Sequence, residues 1–250
     1  MKTNRRTCST ALTLSVLALA SGCGSQAAGK ASAGSLPTGS EPVKLHPSNF
    51  TTRIDNQWLP MAPGSRWVYV EHEGGSVQRD VVAVARRTKL IAGIRARVVH
   101  DVVTEKGRLV EDTHDWFAQD RRGNVWYFGE QTKEYSAGHA PSTKGSWETG
   151  VKNAQPGVVM PAHPKPGLAY RQEFQAGEAE DKARVLSVDE KAEVPAGYYP
   201  RTVMTKDFTR LEPRLLEHKF FARGVGPVLT LATSGGAGRE ELVSFHRGRG

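Results

Sequence analysis

"RWVYVEHEGGSVQRDVVAVA", residues 66–85, sets apolar against polar side chains on both sides of a Gly74-Gly75 pair. Successive side chains of a strand point to opposite faces, so Trp67 and Tyr69 fall on one side and Val68 and Val70 on the other. Two glycines tolerate the positive φ of a tight hairpin turn. The stretch therefore predicts two antiparallel strands joined by a two-residue link. The pattern repeats outward. Residues 94–104 and 108–118 flank "EKG", and "DRRGN" (120–124) turns into "VWYF" (125–128). Further strands are read at 169–174, 183–189, 201–208, 216–222, 227–232 and 241–246.

No stretch carries a 3.6-residue apolar stripe of helical length; residues 42–59 have room for one short turn. No repeat recurs at a fixed period. Short strands with Gly, Pro and Asp turns predict a mostly β fold, an antiparallel meander forming a sandwich or a partial (half-) barrel. One segment breaks the rhythm. Residues 138–167 hold five prolines, with Trp147, Val158, Val159 and Met160 as scattered apolar groups. A connection this long is either docked on the core or covers a binding site.

Upstream, Lys2, Arg5 and Arg6 precede a small apolar run from Ala11 to Ala20. The run is shorter than the roughly 20 residues of a spanning helix. A basic start, a short apolar stretch and small residues next are the layout of a secretory signal peptide. Ala20, Ser21 and Gly22 then lead into Cys23, which resembles the lipobox of bacterial lipoproteins. That resemblance implies cleavage before Cys23 and acylation of its thiol. Each buried lipid methylene contributes about 0.8 kcal/mol, so two or three chains anchor firmly. The expected partner is the lipid bilayer, and the expected location is the extracytoplasmic face of the cell membrane.

The other cysteine, Cys8, lies in the segment read as signal. A mature chain would then have no disulfide and no cysteine-based zinc set. After Cys23 the residues "GSQAAGKASAGSLPTGSEP" lack an apolar face and read as a flexible linker. The expected organisation is a signal at 1–22, lipidated cysteine and linker at 23–45, and one β-rich domain at 46–250. The chain has 34 basic and 26 acidic residues, net +8. A positive excess suits a domain beside anionic lipid. The basic residues are scattered among acids, which argues against nucleic acid.

"DTHDWFAQDRRGNVWYFGEQTKEY" (112–135), "GSWETGVKNAQPGVVMPAHPKPG" (145–167), "YRQEFQAGEAED" (170–181) and "LEHKFFARGVG" (216–226) resemble a widespread family of secreted bacterial proteins and lipoproteins of uncharacterised function. That resemblance implies export and a β-rich fold, and it implies no activity. "AEVPAGYYPRTVMT" (192–205) also resembles the V-P-A-G turn of periplasmic half-barrel, lipoprotein-carrier-like proteins. Two positions depart from the first family's pattern: His114, where an aromatic is usual, and "DRRGN", where D-x-D-G-N is usual.

Chemistry-bearing residues leave three readings. Trp116, Trp126 and Trp147 could stack on an apolar or amphiphilic ligand, with Asp115 and Glu148 at its rim. Asp112 and His114 share one strand face and could supply two metal ligands. The missing second acid in "DRRGN" makes a calcium loop a poor fit. Glu130, Glu148, Glu178, Glu180, Asp181 and Glu217 offer carboxylates for a hydrolase, which needs two at about 5–9.5 Å. There is no G-x-S-x-G elbow, and "SGGAG" (234–238) opens no helix, so neither acyl transfer nor phosphate binding is indicated. No cofactor is expected. A non-catalytic binding or envelope-interaction protein leads; a carboxylate hydrolase and a metal-binding protein are the alternatives.

Overall fold

The computed structural model describes residues 35–249; Cys23, the segment read as signal and the first part of the linker lie outside the described residues. The described chain is almost wholly strand, with a single 3-10 turn at Pro47–Asn49. The strands are β1 Phe50–Thr51, β2 Arg66–Glu73, β3 Ser76–Ile91, β4 Ile94–Glu105 and β5 Arg108–Asp120. Then come β6 Val125–Glu134, β7 Trp147–Glu148, β8 Gln155–Met160, β9 Ala169–Arg171 and β10 Glu173–Phe174. The last five are β11 Asp181–Val194, β12 Gly197–Thr209, β13 Leu216–Ala222, β14 Gly226–Ser234 and β15 Arg239–His246.

The hairpin read from residues 66–85 is β2–β3, paired in register from Arg66↔Ala83 to Glu73↔Ser76 across Gly74-Gly75. The antiparallel order runs β10-β8-β6-β5-β4-β3-β2-β15-β14-β13-β12-β11-β9. Its two ends are β9 and β10, consecutive in the chain and separated only by Gln172. Residues 169–174 therefore pair with β11 on one side and β8 on the other. The sheet curls into a nearly closed barrel with one seam, which decides between the sandwich and the barrel.

Residues 138–167 are the main difference from the sequence reading. They are no structureless connection: β8 pairs with β6 from Val125↔Met160 to Tyr127↔Gly157. Val158, Val159 and Met160 have 0 % exposure, and full burial of such a side chain contributes about 1.5–3 kcal/mol. Three consecutive apolar residues with no alternation mark a strand covered on both faces. Gly157 makes the fit possible. A Cβ there would lie 2.3 Å from the Gln172 carbonyl carbon and 2.4 Å from the Arg171 oxygen.

The seam is also strapped. The Arg171 amide donates to Pro37 O at 2.7 Å. Its guanidinium donates to the carbonyls of Gly39, of Glu41 at 2.9 Å and of Pro156 at 2.8 Å. The Val43 amide donates to Gln155 Oε1 at 3.2 Å. Residues 36–43, inside the segment read as linker, thus lie along the seam as part of the compact unit, which begins at Leu36.

Candidate functional site

Alternation sorts each strand into two faces. On β5, Thr113, Asp115 and Phe117 are buried while Asp112 and His114 are half-buried; on β13, Glu217 and Lys219 are buried while His218 is half-buried. The face that carries Thr113, Asp115 and Phe117 lines the barrel interior and is rich in acids, while the outer face of β5 is covered at Trp116 and Ala118. Cross-strand pairs bring these groups side by side: Asp115↔Glu130, Tyr69↔Asp80, Glu240↔Glu71 and Asp207↔Glu217. Among the described residues nine carboxylates are buried; Glu180 is paired with the exposed Arg210, and the buried basic side chains are Arg97, Arg171 and Lys219. Arg97 donates to the carbonyls of Thr52, Ala85 and Arg86, and Arg171 likewise serves backbone carbonyls. Lys219 is the buried base that meets interior acids, 3.3 Å from Asp207 Oδ2 and 3.5 Å from Glu217 Oε2.

The electrostatics follow from this crowding. Burial pushes Glu217 up to about 7; Lys219 opposes the shift, and Asp207 and Glu240 add to it. Against the cost of burial, Asp207 and Glu217 hold the Lys219 ammonium above its usual range. Burial with Glu240, Asp80 and Asp101 nearby drives the Tyr69 phenol well up. These acids feel one another across the interior, the pattern expected of charges facing a shared space.

Around Tyr127 stands an aromatic and acidic cluster. The Tyr127 hydroxyl lies 2.6 Å from Asp115 Oδ1 and 3.0 Å from Glu130 Oε2. A phenol has one proton to donate, so two attractive contacts require a proton on one of the carboxyls. Burial raises Asp115 to about 6; neighbouring Asp101 adds to the rise, and the Tyr127 hydrogen bond opposes it. Burial and the charges of Asp115, Glu130 and Glu173 keep the Tyr127 phenol protonated. Its ring stacks on Phe117 at 4.8 Å and meets the edge of Trp147 at 5.3 Å. The Trp147 indole donates to Glu173 Oε2 at 2.8 Å.

The five residues named for a ligand site from the sequence occupy three places. Asp115 and Trp147 meet around Tyr127 inside the barrel. Trp116 and Glu148 meet outside it, around Lys89, whose ammonium sits 3.3 Å from the Trp116 ring centroid and 2.7 Å from Glu148 Oε2. Trp126 packs against Phe50 at 5.9 Å and donates to Asp120 Oδ2 at 2.8 Å. Asp120 also accepts from the Arg122 and Asn124 amides at 2.9 Å each, so its oxygens organise the "DRRGN" turn. Glu130, Glu173, Asp207 and Lys219 escaped the sequence reading of the ligand site. The period-2 pattern of β6 and β13 carried their facing, but nothing in it marked the inner face as the acidic one.

Asp112 and His114 lie on the outer face of β5, joined by His100 from β4, the register partner of His114. His100 Nε2 is 2.8 Å and His114 Nδ1 is 3.8 Å from Asp112 Oδ1. The two imidazoles stack at 4.3 Å with 9° between planes. Burial, His100, Arg87 and Lys133 hold His114 below the usual histidine range, against the pull of Asp112.

No family model matches the chain, and no curated protein is significantly similar to it. Among solved structures, a "putative lipoprotein" from Parabacteroides distasonis ATCC 8503 matches with a TM-score of 0.42 and 10% identity, covering 76% of this chain and 99% of that one. A likeness of that extent assigns neither family nor activity.

Proposed function

We propose a lipid-anchored extracytoplasmic binding protein whose barrel interior takes a small amphiphilic cation. The observation that carries this reading is the cluster of Tyr127, Phe117 and Trp147 beside Asp115, Glu130 and Glu173, in an interior where buried acids outnumber buried bases. Aromatic faces attract cations, and do so more strongly where water is excluded. A path of thirteen strands is longer than that of the eight-stranded barrels whose interiors side chains alone fill, and this reading calls for the added room. Confining like charges costs stability, and a bound cation offsets that cost. The ligand is therefore expected to carry an ammonium or similar group on an apolar body.

Charge sorting supports the anchor reading as well. Nine carboxylates are buried among the described residues, and a chain cut before Cys23 would lose Lys2, Arg5 and Arg6 and keep 31 basic against 26 acidic residues, so its exposed surface carries a basic excess. A basic exterior is attracted to anionic lipid, as a protein tethered through Cys23 would require. The hydrolase alternative finds two carboxyls in Asp115 and Glu130, but the Tyr127 hydroxyl stands between them, where a scissile oxygen would need to sit. That geometry favours binding over hydrolysis.

The decisive measurement is native mass spectrometry of protein extracted from its host membrane, followed by titration with alkylammonium and alkylsulfonate amphiphiles of equal chain length. Retention of a cation, preference for the ammonium series, and at least tenfold weaker binding in Asp115→Asn/Glu130→Gln are expected. Equal binding of both series would overturn the ligand reading. Fatty-acid labelling of wild type and Cys23→Ser tests the tether separately, and an unlabelled wild type would remove it.

A further inference from the structure

We propose that His100, Asp112 and His114 form a divalent transition-metal site on the outer face of the β4–β5 hairpin, taking an ion of mixed nitrogen and oxygen preference such as Zn2+. The site stands on geometry independent of the barrel interior. One ligand atom from each residue can be chosen so that all three lie within 4.8 Å of one another. Zinc holds nitrogen and oxygen ligands at about 2.0–2.2 Å, which for a tetrahedral ion places ligand atoms about 3.3 Å apart. The His100–Asp112 and His114–Asp112 separations, 2.8 and 3.8 Å, bracket that value. The backbone already brings the three side chains together, and the two stacked rings would turn out of their parallel arrangement to point one nitrogen each at a shared ion.

The local sequence fixes this arrangement firmly. His100 and His114 are direct partners in the β4–β5 register, and Asp112 stands two residues along the same face. Each of the three side chains is between a quarter and two-fifths exposed, so an ion has access and its fourth position is left to water. Two stacked imidazoles that were both protonated would repel each other. A shared divalent ion satisfies both rings and the carboxylate together.

Charged neighbours limit the affinity. Lys133 is the register partner of Asp112, and Arg87 from β3 acts on His114. Both are cations beside a cation site. Binding is therefore expected in the micromolar range, about −8 kcal/mol, well short of a closed four-ligand structural zinc. The reading names a binding chemistry and assigns no role in catalysis.

The test uses the full chain, stripped with chelator and dialysed at pH 7.5. Titration with ZnCl2 is followed by calorimetry, and CoCl2 is followed by its visible absorption. Wild type should take up one equivalent, with nitrogen ligation in the cobalt spectrum. His100→Gln and His114→Gln should each weaken uptake at least tenfold, and Asp112→Asn should do so to a similar degree. Thermal melts without metal confirm that the variants fold, and ammonium-amphiphile binding should stay unchanged in all three. Uptake by the His100→Gln/His114→Gln double variant equal to wild type would overturn the proposal, as would a wild type that binds no ion at 100-fold excess over protein.

Discussion

Glu217 shows what a single interior side chain contributes. Burial, with acidic Asp207 and Glu240 as neighbours and Lys219 opposing, raises its carboxyl to about 7 from an ordinary value of 4.5. Between those two pH values the folded state binds more protons than the unfolded one. This residue's contribution is thus full below about pH 4.5, declines as pH rises, and reaches its cost above about pH 7. The full shift corresponds to about 2–3 kcal/mol, allowing for partial solvent contact. Glu217→Gln, which mimics the protonated carboxyl, is expected to match wild type at pH 4.5 and to exceed it by that amount at pH 8. Urea unfolding at the two pH values measures the difference. Equal stability gaps at both would show that the carboxyl carries no such penalty. The Lys219 ammonium is raised instead, so its own loss falls at alkaline pH, outside this window.

At the scale of the element, β8 matters most, because it is the strand that brings one side of the sheet to the seam. Two features place it: the three fully buried side chains Val158, Val159 and Met160, and the bare Cα of Gly157 against residues 171–172. Gly157→Ala would push a methyl group into backbone atoms that cannot rotate away. Overpacking of this kind costs about 1–3 kcal/mol, and backbone as the obstacle puts this case at the upper end. The expected outcome is a melting temperature lower by several degrees, with faster amide exchange concentrated in residues 155–160 and 169–174. Loss of protection spread evenly over the barrel would contradict a local role for Gly157.

Across the whole molecule, closure rests on Arg171, which is fully buried and holds the carbonyls of Gly39, Glu41 and Pro156 together. Burial lowers its guanidinium to about 10, with Glu41 opposing, so it remains charged at neutral pH. A cation is thus committed to joining the strap at 36–43, strand β8 and the seam. Arg171→Met keeps the apolar stem but strands the buried Pro156 carbonyl and frees the strap carbonyls of Gly39 and Glu41, and leaving a buried acceptor unsatisfied costs about 1–3 kcal/mol. Hydrogen exchange should show the amides of residues 36–43 released first, before β2–β5 lose protection. Simultaneous release of strap and distant strands would mean that the barrel opens as one unit.

The sequence by itself determined the strands, and period 2 is the reason. Arg66–Glu73, Leu216–Ala222 and the Gly74-Gly75 turn could be placed because local backbone geometry alternates side chains between faces wherever the strand lies. It also brought Asp112 and His114 to one face. It could not place β8, because "QPGVVM" has no alternation and holds a proline and a glycine; its strand form comes from partners on β6 and β10, far away in sequence. Nor could it show that Asp115 and Trp147 meet around Tyr127 while Trp116 and Glu148 meet around Lys89 on the opposite face. Alternation says that two faces exist, but only closure of the sheet decides which one is inside. His100 stands beside His114 for a more local reason, the register that the β4–β5 hairpin's turn and bulge fix, which alternation alone does not specify.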